Sequence, residues 1–310
     1  MKKIVIVGGP TASGKSELAL RLCSRFGGEL ISADSMQIYK RLDIGTAKPS
    51  LEERALVPHH LIDIREPWEN YSVSDFTRDC AEAIEDVTGR GRLPVVCGGT
   101  GLYIDALIRP TEYSEQAGAD PSVREKLMEE DAHVLWLRLE KIDPQAAASI
   151  HENNKKRVVR ALEIYQATGK TKTENDRLQR KAEPVCDALL LLTGFCEREI
   201  LYGRINRRVD KMVEAGLVEE TRGLLEDGDL RPGTTAYQAI GYKEFFPYIN
   251  GEKTLDECVE KLKQATRNYA KRQLTWFSRY DGVKVPDHAA AEAAVEDFLK
   301  GGDSHGQRST

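Results

Sequence analysis

Apolar positions in the first part of the chain come as short unbroken runs separated by helical spacings. Ile4, Val5, Ile6 and Val7 stand together in Lys3 to Val7, which predicts a strand buried on both faces. Leu18, Leu22 and Phe26 then recur at steps of four and predict a helix over Glu17 to Phe26. Glu29 to Ser32 reads as a second strand, and Leu61 to Ile64 is a short apolar run after Pro58-His59-His60. Ser74 to Thr88 places Phe76, Cys80, Ala83, Ile84 and Val87 on one helical face. Leu93 to Cys97 is strand-like and closed by Gly98-Gly99-Thr100-Gly101; Leu102 to Ile108 reads as a helix and Ala188 to Thr193 as another strand. This alternation predicts an α/β fold, a parallel-sheet core with helices on both faces. Ligands of such sheets sit beyond the carboxyl ends of the strands, where the loops at Gly9, Asp34 and Thr100 would fall.

From about Gln116 to Glu183 the alternation stops. The segment is charged and helical, and its Val134 to Leu139 fits either a strand or a buried helix. The expected organisation is therefore a core over 1–115 and 184–300, a helical insertion over 116–183, and a polar, disordered tail over 301–310. Arg198 to Leu225 reads as one or two amphipathic helices. Thr254 to Tyr280 reads as a long helix, opened by Thr254 and Glu257 in a capping-box spacing. Its apolar stripe is Leu262, Ala265, Tyr269 and Trp276, with Lys263, Arg267 and Lys271 at steps of four on another face.

No apolar run approaches the roughly 20 residues of a membrane-spanning helix, and Met1-Lys2-Lys3 leads straight into the first strand without room for a signal peptide. Cys23, Cys80, Cys97, Cys186, Cys196 and Cys258 form no C-x-x-C pair, so reduced thiols in a cytoplasmic protein are expected. The net charge of −5 argues against a nucleic-acid partner, but its distribution argues for one. Asn153 to Lys181 holds nine Lys/Arg against three acids, and Lys261 to Arg279 holds six and no acid. Either run could also be a solvated helix face.

The glycine-rich segment between the first strand and helix changes the picture most. Gly9-Pro10-Thr11-Ala12-Ser13-Gly14-Lys15-Ser16 matches G-x-x-x-x-G-K-[ST], in the strand–loop–helix setting that lets backbone N–H groups converge on an anion. Lys15 would reach a terminal phosphate and Ser16 would meet magnesium. Asp34, after the second strand, is a general-base candidate or a helix-capping residue. The strand that in an ATPase would often carry a magnesium-site acid ends here in Gly98-Gly99-Thr100, with Asp63 a weak substitute. A hydroxyl and free N–H groups there suit a static diphosphate.

Read together, these segments resemble the tRNA dimethylallyltransferases of bacterial type. The resemblance rests on the loop from Gly9 to Ser16, Ser32-Ala33-Asp34-Ser35-Met36-Gln37-Ile38-Tyr39, Asp43 to Pro49, Pro58 to Asp63 and Gly98 to Tyr103. It continues through Arg157 to Glu163, Ile240 to Glu244 and Tyr269 to Trp276, in order over nearly the whole chain. It implies transfer of a dimethylallyl group from dimethylallyl diphosphate to the exocyclic amine of the adenosine next to the anticodon, in a flipped-out base. It implies Asp34 as base, and Lys15, Thr100, the loop from Gly9 to Ser16, and Mg2+ on Ser16 as the diphosphate site. Arg204 and Arg208, one helical turn apart, could clamp the same group. Carried over as contacts to the tRNA anticodon stem-loop are Asp34, Ser35, Met36, Gln37, Thr100, Arg124, Lys156, Arg157, Val158, Val159, Arg160, Gln238, Ala239, Ile240, Gly241, Tyr242 and Lys243.

A monomer without membrane attachment is expected. Asn154 replaces the acid usual in the family, and the C-terminal zinc finger of eukaryotic members is not expected in a chain of bacterial type. Three rivals stand beside this reading: a prenyltransferase for free AMP or ADP, a P-loop small-molecule kinase, and a non-catalytic RNA-binding protein.

Overall fold

The structure, a computed structural model, describes residues 2–108, 121–179 and 186–301. It divides into two compact units, Met1–Asp105 with Cys186–Thr310, and Ala106–Val185. The anticipated boundaries near 115 and 183, and the tail after Gly301, lie outside the described residues.

The larger unit is built on six parallel strands, β1 (Lys3–Gly8), β2 (Gly28–Ser32), β3 (His59–His60), β4 (Leu93–Gly98), β5 (Asp187–Leu192) and β6 (Val283–Lys284), in the order β3-β2-β4-β1-β5-β6. β1 lies inside the sheet, with Val5 beside Val95 of β4 and Leu189 of β5. Covered on both faces, its Ile4 to Val7 are all fully buried, which is why that stretch carries no polar alternation. The run Leu61 to Ile64 is not a strand; the edge strand is His59–His60, immediately before it, and Leu61 and Asp63 take positive φ.

Helices α1 (Lys15–Phe26), α2 (Leu51–Leu56), α3 (Val73–Gly89) and α4 (Gly101–Ile108) connect these strands. α3 buries Phe76, Cys80, Ala83, Ile84 and Val87, the face read from its spacing. In the smaller unit follow α5 (Pro121–Glu129), α6 (Ala132–Ile142), α7 (Pro144–Ser149), α8 (Lys155–Thr168) and α9 (Lys172–Gln179). The ambiguous Val134 to Leu139 is helical: the Asp131 carboxylate caps α6 by accepting from the His133 and Val134 amides, and Leu135 and Leu139, one turn apart, enter the core. Asp143 is buried, caps α7 through the Ala146 amide, and accepts from the Thr173 amide and hydroxyl, which ties α9 to α7.

The chain returns to the larger unit at β5 and continues through α10 (Arg198–Glu214), α11 (Leu217–Glu226), α12 (Phe246–Ile249), α13 (Leu255–Phe277) and α14 (His288–Leu299). α10 and α11 are two helices, parted at Gly216. Both halves of the capping box form at the head of α13. Its buried face is Cys258, Leu262, Ala270, Gln273 and Phe277, so the expected apolar stripe is rotated and has a glutamine in it.

Gly98 ends β4 where the β2 loop comes closest. A Cβ there would stand 2.1 Å from the Ala33 carbonyl oxygen, and the Ala33 amide donates to the Cys97 carbonyl at 2.8 Å. Because the obstacle is backbone, it cannot rotate away. Gly98→Ala is expected to destabilise the protein by about 3 kcal/mol, the upper end for overpacking. Denaturant unfolding measures this, and an unchanged midpoint would contradict the close approach.

Candidate active site

At the carboxyl ends of β1, β2 and β4 a cavity of about 450 Å³ opens within the larger unit. Its floor is the loop between β1 and α1. Gly14 adopts φ 85°, a left-handed conformation, and no side chain caps the first turn of α1. The helix therefore begins with amide groups free of a side-chain acceptor, at its electropositive end. Three residues of the loop line the cavity: Thr11, Lys15 and Ser16. Others shape it. The Ser13 hydroxyl meets the Thr193 hydroxyl at 2.7 Å, and a Cβ on Gly9 would strike that same hydroxyl.

Lys15 donates to the Pro10 carbonyl at 3.2 Å. Loss of water around its ammonium, aided by nearby Arg208, lowers its pKa from the ordinary lysine value, with Cys97 and Asp34 acting in the other direction. The Arg208 guanidinium on α10 also lines the cavity; burial lowers its pKa and Asp34 opposes the shift. Two cations thus converge on one space, with one carboxylate in range of both. Arg204, paired with Arg208 in the sequence reading, is exposed and does not line the cavity.

Asp34 lines the cavity and accepts from the Met36 amide at 2.9 Å through Oδ1. That local turn is an Asx type, so the carboxylate does structural work in its own loop, and it caps no helix. Ser35 is held by the loop after β4: its amide donates to Thr100 Oγ1 at 3.1 Å. Thr100 is not among the residues lining the cavity, and its hydroxyl serves the Ser35 amide beside it. Gln37 lines the cavity, accepts from the Ser32 hydroxyl and donates to the Thr46 and Ala47 carbonyls. Asp63 is paired with Lys48 and Arg54, which hold its carboxyl below the usual range against the effect of burial, and it stands apart from the cavity.

The segment from Gln238 to Gly241 lines another wall of the cavity. Tyr242 and Lys243 do not. Tyr242 is fully buried and donates to Glu220 at 2.6 Å, while Glu220 also accepts from the Ile44 and Gly45 amides. Lys243 closes its own turn on the Gln238 carbonyl. Tyr269 of α13 lines the cavity, and its hydroxyl meets Thr100 and Gln273; burial first, and the Asp34 charge second, push it up to about 12.

In the smaller unit, Val158 and Val159 are fully buried in the core with Leu135 and Leu139, which removes their side chains from any partner-facing role. They belong to the apolar face of α8, and only the other face is available. Lys156, Arg157 and Arg160 are exposed on it. Arg160 and Arg124 flank Glu163, a buried acid at the end of the Arg157 to Glu163 string, at 3.4 and 3.8 Å. The basic stripe of α13 changes meaning as well. Lys263 pairs with Asp210, and Arg267 donates to Asn206, so both fasten α13 to α10.

The fold and this cavity define a parallel α/β protein with a glycine- and lysine-containing loop at the head of its sheet, bordering the cavity. Comparison with known proteins narrows the class. The family model for IPP transferase matches residues 37–280, and that for isopentenyl transferase residues 2–63. The chain is 49% identical over 306 residues to the tRNA dimethylallyltransferase of Geobacillus kaustophilus and 44% identical over 306 residues to that of Caldanaerobacter subterraneus, covering 96% of each chain in both cases. Among solved structures it resembles the tRNA delta(2)-isopentenylpyrophosphate transferase of Staphylococcus epidermidis (TM-score 0.70, 37% identity, 97% of this chain and 99% of that one). It also resembles a eukaryotic dimethylallyltransferase acting on tRNA (TM-score 0.85, 33% identity, 97% and 80%). The chain belongs to the IPP transferase family, that of the tRNA dimethylallyltransferases.

Proposed function

We propose that this protein transfers the dimethylallyl group of dimethylallyl diphosphate to the exocyclic amine of the adenosine next to the anticodon in tRNA, with release of diphosphate. The observation that carries this reading is the convergence of Lys15 and Arg208 on a cavity that also holds the Asp34 carboxylate. A leaving diphosphate needs cations, and an amine becoming bonded to carbon needs a proton acceptor.

The amine lone pair is delocalised into the adenine ring, which makes it a poor nucleophile. In this mechanism it attacks the allylic carbon as the carbon–oxygen bond to diphosphate breaks. Asp34 takes the amine proton, a contribution of about 10²–10⁴ in rate. Lys15, Arg208 and the amides at the head of α1 take up the charge of the departing diphosphate. Thr100 holds Ser35 and through it the Asp34 loop. The residues present also fit Mg2+. The Ser16 side chain borders the cavity, and a magnesium ion bound with phosphates takes only one or two protein oxygens. Ser16 would hold it, and when bound it would neutralise charge on the diphosphate.

The acceptor base enters flipped out, past Gln238 to Gly241. Lys156 and Arg157, with Arg160, meet the tRNA backbone, and the smaller unit serves as the tRNA-contacting insertion. In this reading the protein is a cytoplasmic monomer. A prenyltransferase for free AMP would have no use for the exposed cations of α8.

Charge reversal by Lys156→Glu with Arg157→Glu tests that distinction. Each lost phosphate contact lowers the slope of log affinity against log salt by about 1, so the pair is expected to weaken tRNA binding and flatten its salt dependence. Filter binding over a salt series measures both. Unchanged affinity would contradict the RNA role of α8. Nucleoside analysis of tRNA incubated with protein and donor tests the activity itself: one adenosine per acceptor gains a prenyl group, and none does if the reading is wrong.

A further inference from the structure

We propose that Gln273 is a positioning residue that fixes the phosphate loop and the loop after β4 at the separation prenyl transfer requires. This rests on the reading above. Gln273 is 5% exposed, on the cavity side of α13. Its amide is divided between two loops, and the Tyr269 hydroxyl on the same helix also meets it. Oε1 accepts from the Thr11 amide at 2.9 Å, and Nε2 donates to the Gly99 carbonyl at 2.9 Å. Thr11 belongs to the loop that would hold the diphosphate. Gly99 precedes Thr100, which holds the Ser35 amide next to Asp34. One side chain therefore links the leaving-group side of the site to the base side.

The packing is built around this amide. A Cβ on Gly99 would lie 2.3 Å from Nε2, and a Cβ on Gly101 would lie 2.3 Å from the Trp276 ring, three residues further along the same helix. The chemistry is equally selective. One end of the side chain faces an N–H and the other a C=O, so it must accept at one tip and donate at the other. An amide does both at every pH. A carboxylate satisfies Thr11 but turns a lone pair on the Gly99 carbonyl, and only its protonated form restores the donor. An apolar side chain leaves both backbone groups unpaired.

Two variants of similar size test the role. At pH 8, Gln273→Glu is expected to lose roughly 100-fold in kcat, the scale of a small misplacement of reacting groups. Activity relative to the unaltered protein recovers as pH falls, because burial favours the protonated carboxyl. Gln273→Met loses as much and does not recover. Affinity for tRNA stays within about 3-fold of the unaltered protein in both, because Gln273 is itself no phosphate contact in this reading. Binding of inorganic diphosphate with Mg2+, measured by calorimetry, is independent of any prenyl transfer and weakens in Gln273→Met. The proposal is overturned by full activity of Gln273→Glu at pH 8. It is equally overturned by a pH-independent loss that falls in step with tRNA affinity and thermal stability, or by unchanged diphosphate affinity in Gln273→Met. Failure of the unaltered protein to prenylate tRNA would instead count against the function proposed above, and the diphosphate measurement would still decide the role of Gln273.

Discussion

Asp34→Ala is expected to bind tRNA nearly as well as the unaltered protein and to lose about 10²–10⁴ in the rate of prenyl transfer. The expectation follows from where the carboxylate stands. It borders the cavity, and the charges of Lys15 and Arg208 both respond to it. Alanine also removes the acceptor for the Met36 amide, so part of any loss could come from a loosened turn. Asp34→Asn separates the two effects, since its side-chain oxygen can still accept from Met36 but cannot take a proton from the acceptor amine. Single-turnover rates with saturating tRNA should fall as far in Asp34→Asn as in Asp34→Ala. Near-normal turnover in Asp34→Asn would remove Asp34 from the role of base and leave it a loop residue.

Lys15→Met is expected to cost about 10²–10³ in kcat, comparable to removing one fixed donor from a developing anion. Methionine keeps most of the apolar stem, so the loop and the start of α1 should survive, with a circular dichroism spectrum like that of the unaltered protein. The same lysine predicts a pH effect in the unaltered protein. Only the protonated amine attracts the diphosphate. Its pKa lies below that of an ordinary lysine, about 10.4, because its ammonium is withdrawn from water. The Michaelis constant for the donor should therefore be constant near neutrality and rise on the alkaline side before an exposed lysine would titrate. In Lys15→Met this alkaline rise disappears. A rise that persists unchanged would assign it to another group.

The central sheet was legible because its signals are local. Four consecutive apolar residues from Ile4 to Val7 and the helix-spaced face of α3 need no knowledge of the rest of the chain. The glycine–lysine loop was legible for the same reason. What sequence reading missed depends on contacts far apart along the chain. Gln273 meets Thr11 across 262 residues, and although it lies in the segment Tyr269 to Trp276, nothing local points to that partner. The basic residues Lys263 and Arg267 looked like a surface for a polyanion because their partners, Asp210 and Asn206, lie on a different helix. Val158 and Val159 came with their family string, but the helical period puts them on the core side of α8. In the sequence alone Gly98 and Gly99 read as a turn with free amides. Their observed contribution is the space they leave for the Ala33 backbone and the Gln273 amide.

The identity of donor and acceptor is the claim on which the rest depends. The direct measurement supplies radiolabelled dimethylallyl diphosphate, Mg2+ and either bulk tRNA or AMP, and follows the label into each acceptor. Label should enter tRNA, at adenosine beside the anticodon, and not AMP. Label in AMP alone, or no transfer to either while a phosphate of ATP passes to a small metabolite, would contradict it.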